Sequence, residues 1–446
     1  MVKTFSIGGV HPSENKLSAG SPISVLDLPK QAIFPLAQHI GAPATAIVKR
    51  GDVVRVGTKI ADATGPVSAA IYSSVSGKVS KIENVVDASG YAKPAIIIDV
   101  EGDEWEESID RSAELKKDIS LSAEEIIRKI KEAGIVGMGG ACFPAHVKLM
   151  PPPGLKAEYL VINGVECEPY LTADHRLMLE KADEIMVGVS LLMKAIGVKE
   201  AFIGIENNKP DAIAIMSEKS KSYTGISIVP LKVQYPQGGE KQLIDAVLGR
   251  QLPPPPAIPI HVGAVVQNVG TAFAVYEAVQ KNKPLFERVV TITGKALKSP
   301  SNYLVRMGTP MSQLIDAAGG LPEDTGKIIG GGPMMGKALV STEIPITKGS
   351  SGVLLMTKKE AVRGEIMPCI RCAKCVGVCP MGLEPYLLSN LSAKSNWERV
   401  EKELVMTCIE CGSCQYTCPS NRPLVDYIRL GKNVVGGIIR ARNAKK

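Results

Sequence analysis

Eight cysteines between Cys369 and Cys418 repeat one spacing twice. Cys369, Cys372, Cys375 and Cys379 precede Pro380, and Cys408, Cys411, Cys414 and Cys418 precede Pro419. Both copies read C-x2-C-x2-C-x3-C-P, offset by 39 residues. Three closely spaced thiolates suit one cube of iron and sulfide, and the fourth cysteine, past the turn, reaches the other cube. The spacing therefore predicts one [4Fe–4S] cluster on Cys369, Cys372, Cys375 and Cys418. It predicts a second on Cys408, Cys411, Cys414 and Cys379. A pair of zinc sites is the alternative, but zinc sites pair two C-x2-C units rather than repeat a fourfold run ending in Pro. Such a pair of clusters relays single electrons, so the rest of the chain must supply a donor and an acceptor.

A second group of residues suits an anionic ligand. The run from Gly134 to Pro144 is glycine-rich, with Gly137, Gly139, Gly140, Ala141 and Phe143, and Lys148 follows. Glycines let a backbone approach phosphate and present N–H groups to it. The segment Asn163 to Pro169 follows a predicted strand, where ligands sit in open α/β sheets. The segment Tyr235 to Glu240 follows another and opens a helix, an anion-friendly terminus.

These segments resemble the NADH-binding flavoprotein subunit of respiratory complex I. Its G-x-G-G-A-G-F-P loop and lysine are matched by Gly137, Gly139, Gly140, Ala141, Phe143, Pro144 and Lys148. Further matches are Asn163, Glu166, Glu168 and Pro169; Tyr235, Gly238 and Glu240; and Asn268, Val269 and Thr271. Cys142, Val165, Cys167 and Gly239 depart from that pattern. The whole chain resembles the C subunit of the Rnf complex, through Gly8 to Pro12 with Asn15 and Lys16, Glu166 to Asp174, and Thr293-Gly294 with Pro300. The resemblance implies FMN on the glycine loop, Lys148, Asn163, Glu166, Glu168, Tyr235, Gly238, Asn268 and Thr271. It also implies NAD(H), with Glu240 the candidate catalytic residue. It implies a peripheral subunit on the cytoplasmic face of the cell membrane, bound to other Rnf-type subunits and reaching ferredoxin indirectly. The expected activity is electron exchange within an ion-translocating ferredoxin:NAD oxidoreductase, coupled to Na+ or H+ translocation. A soluble flavin-dependent cobalamin reductase and a non-catalytic electron-wiring subunit are the competing readings.

The positioning elements are legible too. Short apolar stretches between residues 40 and 100, punctuated by Gly and Asp, predict a β-rich module resembling the barrel–sandwich of biotinyl domains. No attachment lysine sits in its hairpin. Ser122 with Glu125 forms a capping box opening a helix that Gly134 ends. Strands and helices then alternate: strand 159–162, helix 174–196, strand 201–205, helix 211–219, strand 226–233, helix 240–248. This alternation predicts a parallel sheet with covering helices. Residues 288–356 read as a small α+β unit, a β-grasp module by resemblance, serving as a docking spacer or a ligand site. The expected architecture is multidomain α/β and α+β. Residues 1–118 carry the barrel–sandwich-like module, 119–287 a Rossmann-like FMN/NADH domain, 288–361 the β-grasp module, and 362–446 a helical two-cluster ferredoxin-like domain.

Composition narrows the class. Hydrophobic residues are 45% and charged residues 22% of 446, enough for several cores. A net charge of +7, with two Trp and six Phe, gives no footprint of nucleic-acid binding. No signal peptide or membrane span is expected. The uncharged run 251–276 carries Pro253 to Pro256, Gln267 and Asn268 and reads as buried lining. Cys142 and Cys167 read as small hydrophobes, His11 and His146 as structural. Arg429, Lys432, Arg440, Arg442, Lys445 and Lys446 follow the last acidic residue, Asp426. They suit either a solvated terminus or contact with an anionic surface.

Overall fold

In the computed structural model, which describes residues 2–444, the apolar runs after residue 158 form a four-stranded parallel sheet. Its order is Ile226–Leu231, Glu200–Glu206, Tyr159–Asn163, Ala264–Asn268. Both faces are covered, so the strands read almost continuously apolar. Leu160 and Ile162 face the helices Ala123–Glu132, Ala182–Ile196 and Val269–Gln280, whereas Val161 and Val266 face Glu240–Leu248. Gly188 allows the close approach of two of these helices, because a Cβ there would overlap the carbonyl of Ala272. The strand order reverses between Tyr159–Asn163 and Ala264–Asn268. Asn163 and Asn268, register partners, end those two strands at the switch point.

The expected capping box is present: Glu125 N–H donates to Ser122 Oγ and Ser122 N–H to the Glu125 carboxylate. The expected single helix 174–196 is instead two, Ala173–Glu180 and Ala182–Ile196, meeting at Lys181 with φ −130° and ψ 29°. No Gly or Pro marks that break. The Glu166 carboxylate accepts from the N–H groups of Asp174 and His175 and so fixes the first helix, while the second packs on Val269–Gln280.

The β-rich module is two antiparallel sheets enclosing Phe34, Ile60, Val79, Ile96 and Ile98. The β-grasp sheet contains Glu287–Thr293, Ser301–Arg306, Thr325–Gly330 and Gly352–Thr357, covered by the helix Met311–Ala317. Its edge is completed from far away in sequence by Ile23–Val25, parallel to Ser301–Arg306. The buried Lys348 ties three modules together, with Nζ donating to the carbonyls of Ala70 and Gly134, both at 2.6 Å. Burial lowers its pKa to about 7.

The cysteine repeat is also a structural repeat. The short helix Lys374–Gly377 recurs as Ser413–Tyr416, and Pro385–Ala393 recurs as the start of Leu424–Asn443. The left-handed residues recur at the same offset: Arg371 with Glu410, Ala373 with Gly412, Gly382 with Asn421.

The basic C-terminal segment is not a loose appendage. It is a helix, Leu424–Asn443, with Val435 fully buried and Gly431 against Ser392. Arg429 and Lys432 pair with Glu410, and Arg442 with Glu401. Truncation after Leu430 would therefore cut into the core of the cluster lobe. Lys445 and Lys446 lie outside the described residues. No helix among the described residues is long and apolar enough to cross a membrane.

Candidate functional site

The glycine loop lies over the switch point. Gly137 N–H donates to Phe143 O at 2.8 Å, closing residues 137–143 as a hairpin-like loop. Met138 N–H donates to Thr271 Oγ1 at 3.0 Å, pinning the loop to the start of Val269–Gln280. Gly139 sits against Asn268, and a Cβ there would lie 2.6 Å from Asn268 Nδ2. A Cβ on Gly140 would meet nothing within 4 Å. Gly139, Gly140 and Ala141 are exposed.

Asn268 caps its helix through Oδ1, while Nδ2 donates to Asn163 O and to Asp174. Asn163 Nδ2 donates to Gly238 O at 2.9 Å, and Gly238 N–H donates to Cys167 Sγ. Lys148 Nζ lies 2.6 Å from Glu240 Oε1, with both side chains partly exposed at the first turn of Glu240–Leu248. Four segments far apart in sequence thus meet at one crevice. Gln267, next to Asn268 and 3% exposed, has an Nε2 with no partner. No local sequence signal singled out Gln267; its place beside Asn268 at a strand terminus is the one clue.

Three expected site residues are engaged elsewhere. Glu166 caps a helix, as described. Glu168 accepts from Met334 N–H at 3.1 Å and Met335 N–H at 2.8 Å, in the turn after the glycines of the β-grasp module. Tyr235 donates its hydroxyl to Cys411 O at 2.8 Å, joining the crevice to the cluster lobe. Cys142 is buried, and burial raises its thiol pKa. Burial does the same, more strongly, to Cys167.

Burial also raises Glu168 to about 7 against the pull of the Met334 and Met335 amides. An ordinary glutamate titrates near pH ~4.3. Between those values the folded chain holds more protons than the unfolded one, so this group lowers stability as pH rises through that window, with no further change above about 7. Glu168→Gln should remove that slope. Thermal denaturation across the window should show the variant gaining on the unaltered chain as pH rises; a constant difference would contradict this.

The cysteines fall into two neighbourhoods. Cys379, Cys408, Cys411 and Cys414 line one small cavity, walled by apolar side chains such as Leu383 and Ile428. Burial and then the charges of Cys408, Cys411 and Cys379 push the Cys414 thiol up. Cys375, in turn, is raised by burial and by the charges of Cys418 and Cys369. Thiols that hinder one another's ionisation are close neighbours, and bound iron relieves that repulsion. The two sites differ in exposure: Cys411 and Cys414 are buried, Cys369 and Cys372 exposed.

The N-terminal segment seals the inner site to the crevice. Gly9 N–H donates to Val378 O, Val10 bridges Tyr235, and a Cβ on Gly8 would lie 2.6 Å from the backbone of Cys379. Lys16 Nζ donates to the carbonyls of Glu166, Glu168 and Leu171.

A switch-point crevice under a glycine loop, beside two cysteine quartets, defines an iron–sulfur flavoprotein. Family models agree along the chain: a RnfC barrel sandwich hybrid domain at residues 3–103, a Nuo51 FMN-binding domain at 130–277, an SLBB domain at 289–338 and a 4Fe-4S dicluster domain at 361–419. The chain is 48% identical over 442 residues to the C subunit of the proton-translocating ferredoxin:NAD(+) oxidoreductase complex of Clostridium ljungdahlii, covering 97% of this chain and 94% of that one. It is 44% identical over 430 residues to the Na(+)-translocating counterpart of Acetobacterium woodii, covering 96% of each. To the C subunit of the ion-translocating oxidoreductase complex of Rhodobacter capsulatus it is 43% identical over 457 residues, covering 100% and 85%. An NAD+-reducing [NiFe]-hydrogenase in the H2-reduced state shares the fold, with a TM-score of 0.50 at 18% identity, over 70% of this chain and 62% of that one. The chain belongs to the RnfC family, the C subunits of Rnf-type ion-translocating oxidoreductase complexes.

Proposed function

We propose that this chain is the NADH-facing electron-transfer subunit of a membrane-bound ferredoxin:NAD oxidoreductase complex, coupled in the whole assembly to Na+ or H+ translocation. The observation that carries the reading is the direct hydrogen bond from Tyr235, at the edge of the crevice, to Cys411 of the inner quartet. Bound FMN and two [4Fe–4S] clusters supply the conversion of a two-electron hydride into single electrons. The exposed Gly139–Ala141 backbone, Asn163, Gly238 and Asn268 are placed to hold the flavin, and the partnerless Gln267 amide supports a polar ligand there. Lys148 and Glu240 stand at the mouth as an ion pair. On this reading Lys148 turns to cofactor phosphate and Glu240 orients the nicotinamide. The inner quartet then receives electrons first, and the outer quartet faces the rest of the complex. Attachment is peripheral, at the cytoplasmic face, through partner subunits rather than through an inserted helix.

Similarity over almost the whole chain, including the N-terminal module, favours this reading over a cobalamin reductase. Glu240→Gln tests the nucleotide assignment. It should slow flavin reduction by NADH about ten- to hundredfold in stopped-flow measurements, by loosening nicotinamide placement, and leave bound FMN unchanged. An unaltered rate would move the nucleotide site away from Glu240.

A further inference from the structure

The internal repeat makes the two cluster sites comparable residue by residue, and one is covered where the other is bare. In the inner copy Ile409 packs with Val10, Tyr235 and Met334, and Cys411 is buried beneath them. The equivalent residues of the outer copy are Ile370 and Cys372, and both are exposed, Ile370 at 68%. Around them Val362, Ile366 and Met367 are also exposed, along a stretch with no helix or strand from Val362 to Ala373. Four apolar side chains and Cys372 are thus exposed along one stretch of the outer copy.

The charges differ between copies as well. Glu410, held by Arg429 and Lys432, becomes Arg371, and the buried Ser413 becomes the exposed Lys374. Arg363 is paired with Asp426 at 2.8 Å, which leaves Arg371 and Lys374 as the cations of this stretch against the single acidic Glu365. The inner copy's apolar patch is where the cluster lobe meets its electron-exchanging neighbour within the chain. An equivalent apolar patch, open and flanked by two cations, fits a neighbour from another chain.

We infer that the face formed by Val362, Ile366, Met367 and Ile370, flanked by Arg371 and Lys374, docks a second redox protein that carries a one-electron centre behind an acidic rim. The inference rests on the proposed electron-transfer function and specifies where electrons leave or enter. Each encounter moves one electron: the outer cluster loses it as the partner's centre gains it, or the reverse.

The test uses the full cofactor-loaded chain, chemically reduced and freed of excess reductant. It is mixed either with NAD+ or with membranes from the producing organism from which this chain has been deleted. Val362→Asp and Ile366→Glu stand clear of the cysteines. Both variants should be oxidised by NAD+ as fast as the unaltered chain, yet by the membranes about tenfold more slowly. Added salt should slow the unaltered chain's reaction with the membranes. Hydroxyl-radical footprinting supplies a measurement without variants: Met367 should be modified in the free chain and protected several-fold once the membranes are bound. Equal reoxidation by membranes together with equal modification of Met367 would overturn the inference. So would binding of the unaltered chain, but not of Ile366→Glu, to protein-free anionic phospholipid vesicles, which would make the face a lipid contact. If NAD+ fails to oxidise even the unaltered chain, the proposed function falls, and Met367 protection alone decides the docking face.

Discussion

Cys418→Ala should abolish the low-temperature EPR signal of the outer cluster and spare the inner one, and Cys379→Ala should do the opposite. Each result is counter to sequence proximity, since Cys418 follows the inner cluster's three cysteines and Cys379 follows the outer cluster's three. The expectation comes from the crossed geometry. Cys379 lines the same cavity as Cys408, Cys411 and Cys414, and Cys418 and Cys369 are the charges that raise Cys375. Removing one thiolate leaves an iron with an open position, so the affected signal should be lost or converted to that of a three-iron form. The inner cluster is the better protected, with Cys411 and Cys414 buried. Cys379→Ala should therefore also cost stability in the apolar wall around Leu383 and Ile428. Loss of the inner signal in Cys418→Ala, with the outer intact, would refute the crossed pairing.

Gly140→Val should release FMN while both clusters and the fold persist. The two neighbouring glycines separate packing from ligand binding. At Gly139 a side chain collides with Asn268, which holds Asn163 and caps Val269–Gln280, so substitution there damages the protein itself. At Gly140 a Cβ meets no protein atom, and the residue is exposed beside the crevice-pinned Gly139. A branched side chain there would occupy the close approach that a glycine backbone offers a phosphate or ring. We expect flavin occupancy of purified Gly140→Val to fall at least about tenfold, the equivalent of ~1.4 kcal/mol of lost binding. The melting temperature of flavin-stripped protein should stay within a few degrees of the unaltered chain. Stoichiometric FMN in this variant would remove the glycine loop from the cofactor site.

What the sequence made legible was local. The cysteine spacing, the Ser122–Glu125 box and the alternating strands and helices each write their geometry into neighbouring residues. The cofactor segments were legible as a set only through resemblance, yet they do converge on Asn163 and Asn268. What stayed hidden depends on contacts between distant residues. Ile23–Val25 gives no sign that it completes a sheet with Ser301–Arg306. Lys16 looks like a surface lysine, yet its Nζ is spent on three backbone carbonyls beneath the crevice. The break at Lys181 carries no helix-stopping residue, because capping by Glu166 and packing against another helix impose it. The C-terminal cations suggested an external anionic surface. Glu410 and Glu401 already hold Arg429, Lys432 and Arg442, and the charge count alone could not show that.

The central claim is that one chain joins NAD(H), flavin and two clusters in electronic contact. Anaerobically purified protein should hold about eight iron, eight sulfide and one FMN per chain. Reduced chemically and freed of excess reductant, it should be mixed with NAD+ while the flavin spectrum and cluster EPR are followed. The account predicts that the oxidised flavin spectrum returns, both cluster signals disappear and about two NADH form per chain, from two flavin electrons and one from each cluster. Cluster signals that persist undiminished after NAD+ is added, with no NADH formed, would contradict it.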